Sequence, residues 1–272
     1  MTNTDYIFRA KTEEGHRIKA LAEVLSNILI DVCFTFDKDG ITLTTVNNQK
    51  PPNLLVNLKL KASQFNEYYC PKTLTPAITL QHFYERLKNI KKKDALILYI
   101  DRNDVNTLRI EKESYDTKQK LKCAVKIQKL PPVDAEVPSD YGHPIHINTN
   151  GFQKGMKDLQ SASNKVTVYA KGNYINFSGN VEGLYSVDIP FGELKSDEED
   201  DEEYEDVFVT KHFSQLSKVS GLKDKMQLYV PRYDNHHSQY VDPLKIDIPV
   251  GDLGNLEIYI KSSTQISRNS FE

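Results

Sequence analysis

The chain has 272 residues, 39% of them hydrophobic and 10% aromatic, which is enough for one large or two ordinary domain cores. It contains no run of about 18 apolar residues, and its opening MTNTDYIFRAKTEEGH lacks the apolar stretch of a secretion signal; together these exclude a helical membrane span and predict a soluble intracellular protein. The net charge of −3 is unevenly spread, because SDEEDDEEYED at 196–206 holds nine carboxylates and leaves 29 acids against 35 bases elsewhere.

In chain order, short alternating or apolar runs predict strands at 32–36, 41–46, 54–60, 95–100, 107–110, 120–127, 166–170, 174–178, 185–191, 226–230, 244–250 and 256–261. Helical spacing of apolar residues predicts four helices, near 15–29, 81–90, 151–161 and 211–219. The segment QKLPPVDAEVPSDYGHP, 128–144, carries four prolines and little periodicity; it reads as an extended, exposed linker. The acidic run repels itself and reads as a solvated loop. Cys33, Cys70 and Cys123 are odd in number and far apart, so they are expected as reduced thiols on strands or strand ends.

The elements repeat. HFYERLKNIKKKDALILYI from His82 is answered 130 residues later by HFSQLSKVSGLKDKMQLYV from His212, pairing Phe83 with Phe213, Asp94 with Asp224, Leu98 with Leu228 and Tyr99 with Tyr229. At an offset of 134, Ile18, Leu25, Val32, Phe34, Ile41 and Leu43 answer Phe152, Leu159, Val166, Val168, Ile175 and Phe177. Conserving order, spacing and element type together predicts two similar domains in tandem, 1–127 and 145–272, joined by the linker 128–144.

All four helices lean basic on the side opposite their apolar stripe. The first carries Lys19 opposite Ile18, Leu21, Ala22, Leu25 and Leu29; the second exposes Arg86 and Lys88 and runs into Lys91–Lys93. The third turns Lys154 and Lys157 away from Phe152, Met156 and Leu159; the fourth turns Lys211 and Lys218 away from Phe213, Leu216 and Val219. Lysine is common on any helix surface, but the same bias on four helices of a duplicated chain predicts one concave basic surface that meets a phosphate backbone.

Catalytic signatures are missing. There is no phosphate-cradling glycine loop, HExxH, GxSxG or CxxC, so no enzymatic activity, cofactor or metal is expected. His143 and His146, and the adjacent His236 and His237, have no cysteine or carboxylate at ligand spacing and read as loop or strand residues. Tyr141 and Tyr240 read as packing residues.

With these features the chain resembles the sliding clamps of the proliferating cell nuclear antigen (PCNA) family from about Ile7 to Ser263. The resemblance is carried by LAEVLSNILIDVCFTFDKDGITLTTVN, by FNEYYC ending at Cys70, by INTNGFQKGMKDL from Ile147 and by DPLKIDIPVGDLGNLEIYI. It implies an α+β fold of two tandem clamp domains, with antiparallel sheets outside and two helices per domain lining the inner face of a homotrimeric ring. It also implies a processivity factor that encircles double-stranded DNA without sequence preference, is placed there by a clamp loader, and tethers polymerase and other replication and repair clients in the nucleus or at a viral replication site. Phosphate contact is then expected from Lys19, Lys88, Lys154, Lys157, Lys211 and Lys218. The linker becomes the interdomain loop gripped by clients, over a pocket of Val46, Pro52, Leu55, Val137, Pro138, Pro243, Tyr259 and Ile260. Rings of this family close by pairing strand 118–127 of one copy with strand 183–190 of the next, which also shields two long edges from aggregation.

The sequence departs from the family pattern at several places. NNQKPPN (47–53) is two residues longer, the linker keeps only Val137-Pro138 of its usual motif, Glu85 replaces a basic residue, the acidic run is dense and the ending SSTQISRNSFE is unusual. These departures imply a divergent clamp from a protist or a large DNA virus. A subunit of a heterotrimeric checkpoint clamp, a monomeric viral processivity factor of the same fold, and an unrelated β-rich enzyme or scaffold remain as alternatives.

Overall fold

A computed structural model describes residues 5–133, 135–181, 184–193, 203–234, 239–240 and 242–268. The ladders of the two sheets described below are antiparallel. The chain divides into two compact units. The first comprises Met1–Thr45, Val56–Ala135 and Pro249–Leu256; the second comprises Val46–Leu55, Glu136–Ile248 and Glu257–Glu272.

The first repeat runs β1 (Tyr6–Thr12), α1 (Gly15–Ile28), β2 (Asp31–Cys33), β3 (Thr35–Phe36), β4 (Gly40–Val46), β5 (Leu54–Lys61), β6 (Glu67–Tyr69), β7 (Ala77–Thr79), α2 (Leu80–Leu87), β8 (Ala95–Asp101), β9 (Asp104–Glu113) and β10 (Lys120–Lys126). Five strands form a sheet in the order β10-β9-β8-β1-β6, which leaves β10 on an edge. Alternate residues of these strands point inward, and with α1 and α2 they enclose one apolar interior lined by Ile18, Leu25, Phe34, Leu58, Phe83 and Leu98. The β3–β4 turn is set by DKDG: Asp37 Oδ1 accepts from the N–H of Asp39 (2.8 Å) and of Gly40 (3.0 Å). Gly40 sits at φ +151°, where a Cβ would lie 1.9 Å from the Leu60 carbonyl oxygen, so only glycine fits.

The second repeat runs β11 (Ile145–Asn148), α3 (Thr149–Ala162), β12 (Lys165–Lys171), β13 (Tyr174–Val181), β14 (Tyr185–Phe191), β15 (Glu203–Val209), α4 (Thr210–Ser214), β16 (Lys225–Tyr229), β17 (Tyr233–Asp234), β18 (Gln239–Tyr240), β19 (Leu244–Val250), β20 (Gly254–Ile260) and α5 (Ser263–Arg268). A four-stranded sheet is ordered β14-β13-β12-β15, with β14 on its edge. α3 starts on Asn148, whose Oδ1 accepts from the Gly151 N–H at 3.0 Å. Inside, Phe152, Phe177, Phe208 and Phe213 are fully buried and meet edge to face at 5.5–6.4 Å. Three of the pairs matched at offsets 130 and 134 occupy corresponding elements, whereas Phe34 lies between β2 and β3 and its match Val168 lies within β12. Ile18 and Phe152 are buried on α1 and α3, Phe83 and Phe213 on α2 and α4, and Leu98 and Leu228 on β8 and β16.

The structure corrects several sequence expectations. The fourth helix is five residues long, not nine, and Lys218 lies beyond it at the start of a 3₁₀ turn, Val219–Gly221. Ser214 Oγ donates back to the Lys211 carbonyl (3.0 Å), a local bond that competes with helix propagation. Of the acidic run, 203–206 belong to strand β15, paired with β12, while 196–202 lie outside the described residues. VCFTF divides into β2 and β3 at Phe34, whose N–H goes to the Pro76 carbonyl (3.0 Å). The C-terminal stretch contains helix α5 where no helix was expected.

Candidate nucleic-acid and partner interfaces

The six lysines assigned to phosphate contact differ in their surroundings. Lys154 and Lys157 are exposed on α3, three residues apart and so on one face, and Lys211 is exposed in α4. Lys218 is also exposed. Lys88 is exposed but pairs with Glu85 at 2.6 Å, the residue that stands where a basic one is usual. The hydrogen bond from that ammonium, together with its charge, holds the Glu85 carboxyl below its ordinary pKa. Lys19 is half-buried and its Nζ donates to the carbonyls of Ile90 (2.8 Å) and Lys88 (3.5 Å), so it is engaged at the end of α2.

The client pocket assigned from the sequence falls wholly within the second unit. Pro52 is exposed; Val46, Leu55, Val137, Pro138 and Pro243 are half-buried. Tyr259 and Ile260 are 1% and 0% exposed, and they belong to the core instead of the pocket surface. They are strand residues of β20, and the buried Tyr259 ring meets that of Tyr141, from the linker, at 6.2 Å. Across the linker, described residues 128–133 and 135–144 hold no helix or strand, only an isolated bridge from Gln128 to Ala77.

Two anchors that sequence reasoning did not find hold this region in shape. Asn47 and Asn53 are buried at the two ends of the NNQKPPN loop. Asn47 Nδ2 donates to Asn53 Oδ1 (2.7 Å), and Asn47 Oδ1 accepts from the N–H of Asn53 (3.1 Å) and Leu54 (3.2 Å). With its Oδ1 so used, Asn53 donates through Nδ2 to His212 Nε2 at 2.9 Å. Burial depresses the His212 pKa, with nearby Lys211 acting in the same direction and a hydrogen bond with Gln215 opposing it; because an amide nitrogen can only donate, Nε2 is the accepting nitrogen in this pair. The paired asparagines of NNQKPPN were the available signal.

The second anchor is a lysine among tyrosines. Lys245 Nζ sits 5.0 Å from the Tyr229 ring centroid and 5.7 Å from those of Tyr141 and Tyr259, and pairs with Glu257 at 2.7 Å. Tyr141, from the linker, donates to the Pro243 carbonyl (2.8 Å). Burial raises the Tyr141 and Tyr259 phenol pKa values well above normal, so both stay protonated. The packing role expected for Tyr141 has a definite geometry; the Tyr240 side chain and His236-His237 lie outside the described residues.

Both strands proposed to close a ring are sheet edges. β10 exposes Leu121 (56%), with Tyr115 (56%) just before it, and β14 exposes Tyr185 (53%), preceded by Leu184 (78%). Along β10, the Ile127 N–H reaches the Asn106 carbonyl (2.9 Å), and strand alternation therefore turns the Ala124 N–H away from β9. The cysteines are unpaired with one another, and burial pushes the Cys70 thiol up to about 11. No group of three or more His, Cys, Asp or Glu with metal-holding geometry occurs among the described residues.

Comparison with known proteins agrees with this architecture. The family described as "Proliferating cell nuclear antigen, N-terminal domain" matches residues 7–135. "Probable DNA polymerase sliding clamp 1" of Paramecium bursaria Chlorella virus 1 is 24% identical over 96% of this chain and 98% of its own length. "DNA polymerase sliding clamp" of Cenarchaeum symbiosum (strain A) is 20% identical over 93% and 97%, and "Proliferating cell nuclear antigen" of Caenorhabditis elegans is 21% identical over 93% and 96%. Two tandem α+β repeats, matched over nearly their whole length by such relatives, define a protein of the clamp class. Within that class, the match over 7–135 and the viral, archaeal and nematode relatives support a divergent clamp similar to the proliferating cell nuclear antigen family.

Proposed function

We propose that this chain is a DNA sliding clamp, a processivity factor that closes as a homotrimer around duplex DNA and tethers polymerase and other clients. The observation that carries the reading is the pair of unpartnered sheet edges, β10 and β14, each with exposed apolar side chains, in a chain that aligns end to end with clamp relatives. An edge of this kind invites another strand, and pairing β10 with β14 of the next copy in a closed ring leaves neither of these two exposed. Lys154, Lys157 and Lys211 then supply mobile point charges to phosphate, with Lys88 and Lys218 at the margins and Lys19 contributing to the field. The clamp domains are 1–127 and 145–272, with 128–144 as the connector that clients grip. Work takes place at the replication site, nuclear or viral, after a loader has opened the ring. The family consists of non-enzymatic scaffolds, and the chain is read in the same way.

Light scattering at micromolar concentration tests the reading. A homotrimer gives about 94 kDa, three times the 31.2 kDa chain. A strictly monomeric mass over that range supports the monomeric processivity factor instead, and trimers only in the presence of other subunits support a heterotrimeric clamp.

A further inference from the structure

Two turns of the first unit bring lysines to one exposed tyrosine. The first turn follows α2 and is fixed by Asp94, which is buried. The Asp94 N–H donates to the Lys91 carbonyl (3.1 Å), while its Oδ2 accepts from the Lys91 N–H (2.9 Å) and pairs with Lys112 (2.9 Å). Lys92 and Lys93 are thereby the central residues of a closed turn, and both are exposed. The second turn joins β9 to β10; the Lys118 N–H donates to the Ser114 carbonyl (3.0 Å) and the Ser114 N–H to the Gln119 carbonyl (2.9 Å). Lys118 adopts φ +54° and is the one non-glycine residue with a left-handed backbone among the described residues. Glycine or asparagine takes such a position more readily, so a lysine there gives up backbone ease for a charged side chain. The turns meet at Tyr115, which is exposed, with the Nζ atoms of Lys93 and Lys118 at 5.3 and 5.1 Å from its ring centroid.

Lys92, Lys93, Tyr115 and Lys118 share one concavity of about 480 Å³ with Glu13 and Glu113. That volume lies within the range of small-ligand sites, about 300–1,000 Å³. Neighbouring cations are neutralised: Lys112 pairs with Asp94, and Lys120 and Lys122 share Glu111 (3.2 and 3.4 Å). Among the described residues, no carboxylate ion-pairs with Lys92, Lys93 or Lys118. Unneutralised ammonium groups on flexible stems suit phosphates, and an exposed aromatic face suits a flat ring. Cation–π contacts at an exposed ring are weak, so a base can take the face of Tyr115 while the ammonium groups turn to its phosphates. Duplex DNA offers phosphates but keeps its bases stacked on one another. A single strand offers both groups at once.

We propose that the concavity of Lys92, Lys93, Tyr115 and Lys118 binds single-stranded nucleic acid, with one base stacked on Tyr115 and the adjacent phosphates on the lysines. The site uses none of the six lysines assigned above to duplex contact. It lies within one unit and needs no second copy of the chain, so it stands apart from the ring reading.

Fluorescence anisotropy with the full chain tests the site against three labelled probes: a short oligo(dT), an abasic strand of the same length and a duplex. Oligo(dT) should bind about tenfold more tightly than the abasic strand; Tyr115→Ala should remove that advantage, and Tyr115→Phe, which keeps the ring, should retain it. Duplex affinity should be the same in all three chains. Replacing the lysines together, as Lys92→Ala, Lys93→Ala and Lys118→Gly, should lower the oligo(dT) salt slope by about 2, at roughly 0.7 for each of three phosphates on a single strand. The Tm of that variant should match the parent's, since every altered side chain is exposed and glycine accepts the left-handed position. Equal binding of oligo(dT) and the abasic strand, or no binding of either at micromolar concentration, overturns the site and leaves the clamp reading untouched. Loss of duplex and oligo(dT) affinity to the same extent in Tyr115→Ala overturns it in favour of a duplex contact. A poly-glutamate peptide that binds with the same dependence on Tyr115 overturns it in favour of an acidic protein partner.

Discussion

At the scale of single residues, the buried and half-buried members of the client region separate two kinds of effect. Val137 is half-buried on the linker, so Val137→Ala should weaken a polymerase-derived peptide by about 1–2 kcal/mol in calorimetry while the Tm stays unchanged. Tyr259 is a core residue, and Tyr259→Ala should instead cost about 3 kcal/mol of stability, with peptide affinity falling only as the fold fails. A Val137→Ala chain that binds as tightly as the parent places the clients elsewhere. His212 carries a pH prediction. Its folded pKa lies below the ordinary 6.5, so the unfolded chain binds the extra proton first, and the stability present above pH 6.5 is lost as pH falls towards the folded value. His16 is shifted the same way by burial and by Arg17, and adds to the loss. Urea midpoints at pH 7.5 and 5.5 should differ more for the parent than for His212→Gln, which keeps an acceptor for Asn53; equal differences would exclude His212 as a source. The sequence offered only the asparagines of NNQKPPN as a signal, because Asn53 and His212 meet across 159 positions of intervening fold.

At the scale of elements, the exposed edge of β10 can be blocked without disturbing the sheet behind it. Ala124→Pro removes an N–H that points away from β9, so the variant should keep the parent's Tm as a monomer and lose its trimer. Retention of the trimer would move the boundary to another strand. What was legible here was the long, well-patterned elements: the apolar stripes of α1, α2 and α3 and the alternation of β4, β5 and β13. Short strands escaped notice because pairing defines them more than pattern does. β7 is three residues whose register comes from β2, and β11 is four residues held by β16. The fourth helix was overextended because Leu216 and Val219 keep helical spacing and are buried, but they reach the core through turns after Ser214.

At the scale of the whole molecule, the tandem repeat was the strongest signal, since it combined order, spacing and element type over more than two hundred residues. It conveyed the fold class; it did not convey which lysines stay free, since Lys19 and Lys88 find partners that only folding supplies. Binding to duplex DNA should be weak, independent of sequence and steeply salt-dependent. Lys154→Ala with Lys157→Ala should lower the slope of log affinity against log salt by up to about 2 per subunit, since each phosphate contact releases close to one counterion. An unchanged slope, or base-specific protection in a footprint, would count against phosphate tracking by α3.

The tyrosines around Lys245 have an optical consequence. The chain has 15 tyrosines and no tryptophan, so its ultraviolet emission comes from phenol rings alone. Tyr141 lies 6.0 Å from Tyr229 and 6.2 Å from Tyr259, close enough to exchange excitation, and Tyr259 donates to the Glu257 carboxylate (3.2 Å), a contact that quenches phenol emission. Lifting the linker would take Tyr141 away from the other two rings and change that exchange. The client docking proposed above should therefore register in the protein's own fluorescence, with no dye attached to the surface under study.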